Sequence, residues 1–102
     1  MLCMLTHRRL KVGTLERFRD AWEPDRALLP EEMRGDRAYV VRSLDDENEV
    51  ITFHLTNLTR DDLMRLREAL TKDLGQREQA MAEFVEWTGV SGIFEVVEEV
   101  KI

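Results

Sequence analysis

The chain carries a single cysteine, Cys3, so it can form no internal disulfide. A lone thiol fits a reducing compartment, and a cytoplasmic protein is the expectation. Long apolar runs are missing as well. MLCMLT at the start is apolar, but His7, Arg8, Arg9 and Lys11 interrupt it before any small-residue cleavage site, which argues against a signal peptide. No stretch approaches the roughly 18 apolar residues of a membrane span. Positive charge is in deficit: 15 Lys and Arg stand against 21 Asp and Glu, a net charge of −6. That balance disfavours partners such as nucleic acid or an anionic membrane surface. His7, His54 and Cys3 have no spacing that would hold zinc or iron, so no metal is expected. The acidic run Asp45–Glu49 lacks the alternating ligands and glycine of an EF-hand and reads as a solvated turn. No cofactor-binding motif is present, so no cofactor is expected.

What is present is the composition of one globular domain spanning residues 1–102, 43% hydrophobic and 35% charged, with two prolines and five glycines. Residues 2–12 read as a strand ended by Gly13, with Thr14 placed to cap a helix. Leu15, Phe18, Ala21 and Trp22 mark one face of that helix, and Pro24 ends it. Pro30 and Gly35 suit the start and stop of a short second helix. The most legible stretch is Arg37–Thr56, two β-rich runs around an acidic loop. In its second run Ile51, Phe53 and Leu55 face one way, and Val50, Thr52, His54 and Thr56 the other. A four-residue loop pairs Tyr39 with His54, and a five-residue loop pairs Tyr39 with Leu55. The first is favoured because it groups the polar residues on one face.

Thr59 and Asp62 form a capping-box pattern ahead of Leu63, Leu66, Leu70 and Leu74. Gly75 reads as a break, followed by a helix over 76–87 with Ala80, Met81, Phe84 and Trp87 inward. A last strand then runs through VSGIFEVVEEVKI. The order β-α-β-β-α-β predicts an α+β, ferredoxin-like fold: a four-stranded antiparallel sheet with helices on one face and the first and last strands adjacent. Adjacent strands would set His7, Arg8, Arg9 and Lys11 against Glu95, Glu98 and Glu99. Both faces of the hairpin and of the last strand carry apolar residues, which predicts a homodimer through the sheet face.

The hairpin AYVVRSLDDENEVITFHLT followed by NLTRDDLMRL resembles the dimeric α/β-barrel superfamily, and most closely its antibiotic-biosynthesis-monooxygenase-like (ABM-like) branch. The resemblance covers nearly the whole chain. It implies a homodimer, and its known members include cofactor-free monooxygenases of aromatic polyketides, haem-degrading enzymes and isomerases. The haem-degrading members need an Asn on the first strand and a His on the later helix. Residues 1–12 contain no Asn and no His follows His54, so that activity is not expected. The family's usual Trp at the end of the third strand is absent too: Phe53, Leu55 and Asn57 stand there.

Four residues are candidates for binding a small hydrophobic or aromatic ligand: Tyr39, His54, Trp22 and Trp87. His54 could accept a proton from a phenolic substrate, since imidazole titrates near neutrality, or it could line a dimer interface. Tyr39 could orient a ligand through its hydroxyl or simply fill space. The two tryptophans could wall an aromatic pocket or belong to the core. Arg42 could clamp a carboxylate or reach solvent. Two functions follow: a cofactor-independent, monooxygenase-like enzyme, or a non-catalytic dimeric binding protein on the same fold.

Overall fold

Period-two runs pair as strands and period-3.6 segments fold back across them. In a computed structural model describing residues 1–102, the elements are β1 (Leu2–Leu10), α1 (Leu15–Trp22), two short 3-10 turns (Arg26–Leu28 and Glu31–Met33), β2 (Arg37–Arg42), β3 (Glu49–Thr56), α2 (Arg60–Ala69), α3 (Thr71–Ala82) and β4 (Val85–Glu95). The strands form one antiparallel sheet in the order β2-β3-β1-β4. This is the ferredoxin-like α+β arrangement, with β1 and β4 adjacent as expected.

One face of the sheet is covered by the helices. Leu10 of β1, Val50 of β3, Phe18 of α1 and Met81 of α3 make the core, with Leu15, Ala21, Trp22, Phe84 and Val85 packed on it. Phe18 is fully buried at 0% exposure, so removing its ring would leave a cavity. The rest of the molecule is thinly covered: only 9 of 102 residues are buried. The surface is 7819 Å², against about 6,000 Å² for a compact monomer of this mass. The radius of gyration is 14.3 Å and the extents are 41 × 36 × 21 Å, whereas a compact chain of this length would have a radius of about 12.8 Å. The chain is a slab, with its second sheet face bare.

The hairpin adopts neither expected pairing. Tyr39 lies opposite Phe53, and Ala38 opposite His54. The difference arises at the loop, where Leu44 leaves the strand and is fully exposed. Ser43 N–H bonds the Glu49 carbonyl at 3.0 Å and closes the ladder one step earlier than its apolar pattern suggests. The Ser43 hydroxyl oxygen accepts from the amides of Asp45 and Asp46, and Asp46 accepts from the amide of Asn48. Side-chain bonds of this kind set the turn, and the turn sets the register.

Other boundaries move for local reasons. Thr14 makes no helix-capping side-chain bond; its hydroxyl donates to the Lys11 carbonyl at 2.7 Å. The break between α2 and α3 falls at Leu70, and α3 runs straight through Gly75. The last helix stops at Ala82, so Trp87 is a strand residue, and β4 begins at Val85 rather than after Gly89. Because β1 and β4 are antiparallel, Glu95 lies opposite Leu2, not beside the basic cluster. The basic end of β1 is matched instead by Asp46 and Glu86 at Arg9 and by Glu49 at His7. Gly35, at φ 88, supplies the left-handed turn that delivers the chain to β2.

The capping box of α2 forms as expected. Asp62 N–H donates to Thr59 Oγ1 at 3.2 Å, and Thr59 N–H to Asp62 Oδ2 at 3.3 Å. Hydrogen bonds from Thr59 and the neighbouring Arg65 hold the Asp62 carboxyl below its usual range. Its stabilising contribution is therefore present above the unfolded-state pKa and is lost as pH falls through the lowered folded-state value. Thr59→Ala is expected to cost about 1 kcal/mol in urea unfolding. Asp62→Asn is expected to destabilise at pH 7, with the difference from wild type shrinking as the solution is acidified below pH 4; a constant difference would contradict this account.

Candidate functional site

The covered face of the sheet is more polar than a plain core. Thr6 and Arg8 of β1 lie opposite Thr52 and Val50 of β3, and His54 and Thr56 continue the same row. Thr6 and Ser91 share a hydrogen bond of 2.9 Å across β1 and β4. Arg8 donates to Thr52 Oγ1 at 2.9 Å and lies over the Phe18 ring at 5.3 Å. Thr52 and Thr56 are buried, so this row is shielded from water at both positions.

His54 bonds Asp36 through Nε2 at 3.0 Å, with the two side chains 21% and 14% exposed. Asp36 follows the Gly35 turn, and its own amide is anchored to the Met33 carbonyl at 3.0 Å. It is two residues ahead of Ala38, the residue opposite His54, and so approaches the imidazole diagonally across the strand pair. An ionised carboxylate only accepts, so the bonded Nε2 is the donor, and in the neutral imidazole this leaves Nδ1 as the acceptor. In that form the carboxylate fixes the ring's orientation and leaves one nitrogen able to accept a proton.

Arg77 of α3 reaches the same layer from the helix side. Its terminal nitrogen donates to the Trp22 carbonyl, and a second lies 3.8 Å from Asp73. Its Nε is buried and has no hydrogen-bond partner. Burial lowers the pKa of both Arg77 and Arg8. Asp73 opposes the shift at Arg77; at Arg8, Glu78 opposes it and Arg77 adds to it.

The structure separates the four sequence candidates. His54 and Trp22 belong to the covered side, Trp22 packing on the core. Tyr39 shares the bare face with Phe53, their rings stacked at 4.9 Å and 25°. Trp87 is also on the bare face, edge-on to His7 at 4.9 Å, and His7 in turn bonds Glu49 at 2.8 Å. A Cβ on Gly89 would come within 2.8 Å of His7 and 2.9 Å of Trp87, so this aromatic contact needs the missing side chain. Arg42 lines a separate depression of about 290 Å³ with Lys11, Glu16, Arg17 and Glu47. No three His, Cys, Asp or Glu side chains converge as a metal site would require.

Asp36, Arg8 and Arg77 are functional candidates that sequence reasoning missed. Arg77 had a signal: it precedes Met81 by four residues and so shares its helix face. Arg8 shares a strand face with Leu10. Asp36 becomes visible only once the hairpin register is known.

These elements define a ferredoxin-like sheet with one helix-covered, partly polar face and one bare apolar face. Comparison with solved structures gives the same fold, shared with proteins described as antibiotic biosynthesis monooxygenases. A candidate antibiotic biosynthesis monooxygenase from Nitrosomonas europaea aligns over 96% of this chain and 100% of its own, at 17% identity and TM-score 0.62. An uncharacterised NIPSNAP domain protein from Burkholderia xenovorans aligns over 100% of both chains at 14% identity and TM-score 0.64. A second candidate antibiotic biosynthesis monooxygenase, from Chloroflexus aurantiacus, aligns over 99% of this chain and 97% of its own at 10% identity and TM-score 0.59. At these identities the likeness is one of fold. No family model matches the sequence, and no curated protein matches it significantly. No helix is long and apolar enough to cross a membrane.

Proposed function

We propose that the protein is a homodimeric, monooxygenase-like enzyme that acts on a small hydrophobic or aromatic substrate without a cofactor, with His54 as the base and Asp36 holding its tautomer. The observation that carries the reading is the His54–Asp36 hydrogen bond of 3.0 Å on the helix-covered side of the sheet. Its Nδ1 would take a proton from an acidic C–H or O–H of the substrate. Dioxygen as co-substrate would then oxidise the carbanion of an activated CH₂ group, leaving one oxygen as a carbonyl and releasing the other as water with two hydrogens. Without dioxygen, return of the proton to a different carbon is an isomerisation. Trp22 and the threonine row would contact the substrate; Tyr39 and Trp87 would act through the dimer.

Support for the dimer is the bare face itself. Tyr39, Trp87 and Phe94 are 40%, 44% and 45% exposed there, beside Val41 and half-buried Cys3, Leu5, Ile51, Phe53 and Leu55. The excess of surface over a compact monomer is about 1,800 Å² per chain, in the range that two copies would bury in an obligate interface. One observation favours the non-catalytic alternative, a dimeric binding protein: the two main surface depressions are lined by other residues and do not touch His54.

Two measurements test the reading. Light scattering at micromolar concentration is expected to give a dimer, and Phe53→Asp a monomer; a monomeric wild-type protein would remove the assembly. Oxygen uptake with a panel of hydroxylated aromatic polyketides is expected to fall by about 10²–10⁴-fold in His54→Ala and Asp36→Asn. Tyr39→Phe is expected to retain most of the rate, because its hydroxyl faces away from the base. Equal turnover in wild type and His54→Ala rejects the assignment.

A further inference from the structure

Two half-buried guanidinium groups, those of Arg8 and Arg77, have no role in the proton transfer. Arg8 forms no ion pair with any carboxylate; its partners are a threonine hydroxyl at 2.9 Å and the face of Phe18. Arg77 has one carbonyl partner, a carboxylate no closer than 3.8 Å and a buried Nε with none. A partly desolvated guanidinium that leaves a buried N–H without an acceptor is costly, and an anion supplying that acceptor relieves the cost. The two groups belong to one neighbourhood. Arg8 covers Phe18 and Arg77 holds the carbonyl of Trp22, one helical turn further along α1, and the two charges are near enough for Arg77 to lower the pKa of Arg8. Arg8 also bonds Thr52, whose side chain is the neighbour of His54 along the same strand face.

We propose that Arg8 and Arg77 form an anion-binding site between sheet and helices, and that the natural ligand is a small aromatic acid whose carboxylate they hold while its ring lies toward half-buried Trp22. Guanidinium forks match a carboxylate geometrically, and a desolvated layer strengthens the charge-assisted bonds. Glu78 and Asp73 lie close enough to affect the two arginines electrostatically and balance their charge, but form no tight pair with the free donors, so the attraction for an arriving carboxylate comes from open guanidinium N–H groups. The inference deepens the functional reading above and rests on its placement of a ligand beside His54.

The test compares benzoate with benzyl alcohol, a neutral analogue of similar shape, by titration calorimetry on the full chain, with the His54 ring signals followed by NMR. Benzoate is expected to bind at least about tenfold tighter than the alcohol, and Arg8→Met or Arg77→Met to weaken benzoate by about tenfold or more with little effect on the alcohol. Arg8→Met is expected to melt no lower than wild type, since it removes a half-buried charge with no carboxylate partner and keeps an apolar stem, so stability and binding should move apart. Should a methionine variant fail to fold, Arg8→Lys and Arg77→Lys replace it and are expected to weaken benzoate by losing the fork. Equal affinity for acid and alcohol, or benzoate binding unchanged in the arginine variants, overturns the anion site while leaving the His54 reading standing. Arginine-dependent benzoate binding that leaves the His54 signals unmoved upholds the anion site and removes the base from it. Binding of neither compound overturns both.

Discussion

Everything in this structure depends on one four-stranded sheet having two apolar faces and helices for only one. Successive side chains on a strand point to opposite sides, so a strand such as Glu49–Thr56 that is apolar at Ile51, Phe53 and Leu55 and also at Val50 cannot satisfy both with a single layer. The helices take the Val50 side. They leave the other as a broad apolar surface, and the flattened shape and excess area follow directly. The homodimer proposed above would cover that face and bring the slab to the burial of ordinary proteins.

The covered side solves a different problem. A small domain with only a handful of fully buried residues would be expected to fill that layer with aliphatic side chains. Threonines, Arg8, Arg77 and the His54–Asp36 pair occupy it in their place, and each lowers the hydrophobic return on burial. Such departures from local consistency cluster at functional sites. The layer combines a histidine–carboxylate hydrogen bond with two half-buried arginines, the two features from which the proposed base and anion site are argued.

Much of the architecture was legible in advance. The capping box at Thr59–Asp62, the spacing of Leu15, Phe18 and Trp22, and the two faces of β3 are all local patterns, and all three formed. The errors lie where a local pattern is ambiguous. Gly75 is tolerated inside α3, where it costs no more than lost propensity. Trp87 sits close to where a helix pattern gives way to a strand pattern, and an aromatic fits either period. Half of the proposed site was visible as His54 and Trp22. The rest, Asp36 and the two arginines, comes from a turn, a strand and a helix far apart in the chain.

The sequence by itself determined the element order, the sheet topology and the presence of two apolar faces, because these rest on periodicities of two and 3.6 that need only neighbours along the chain. Tertiary structure alone decided which residues meet. The hairpin register hangs on Ser43 and Asp46 bonding backbone amides in the loop, and a one-step shift there sends Tyr39 to the bare face and His54 to the covered one. That shift parted the two residues that looked like a pair and gave His54 a different partner, Asp36. Register is a long-range outcome of turn chemistry and packing, and no period along a single strand encodes it.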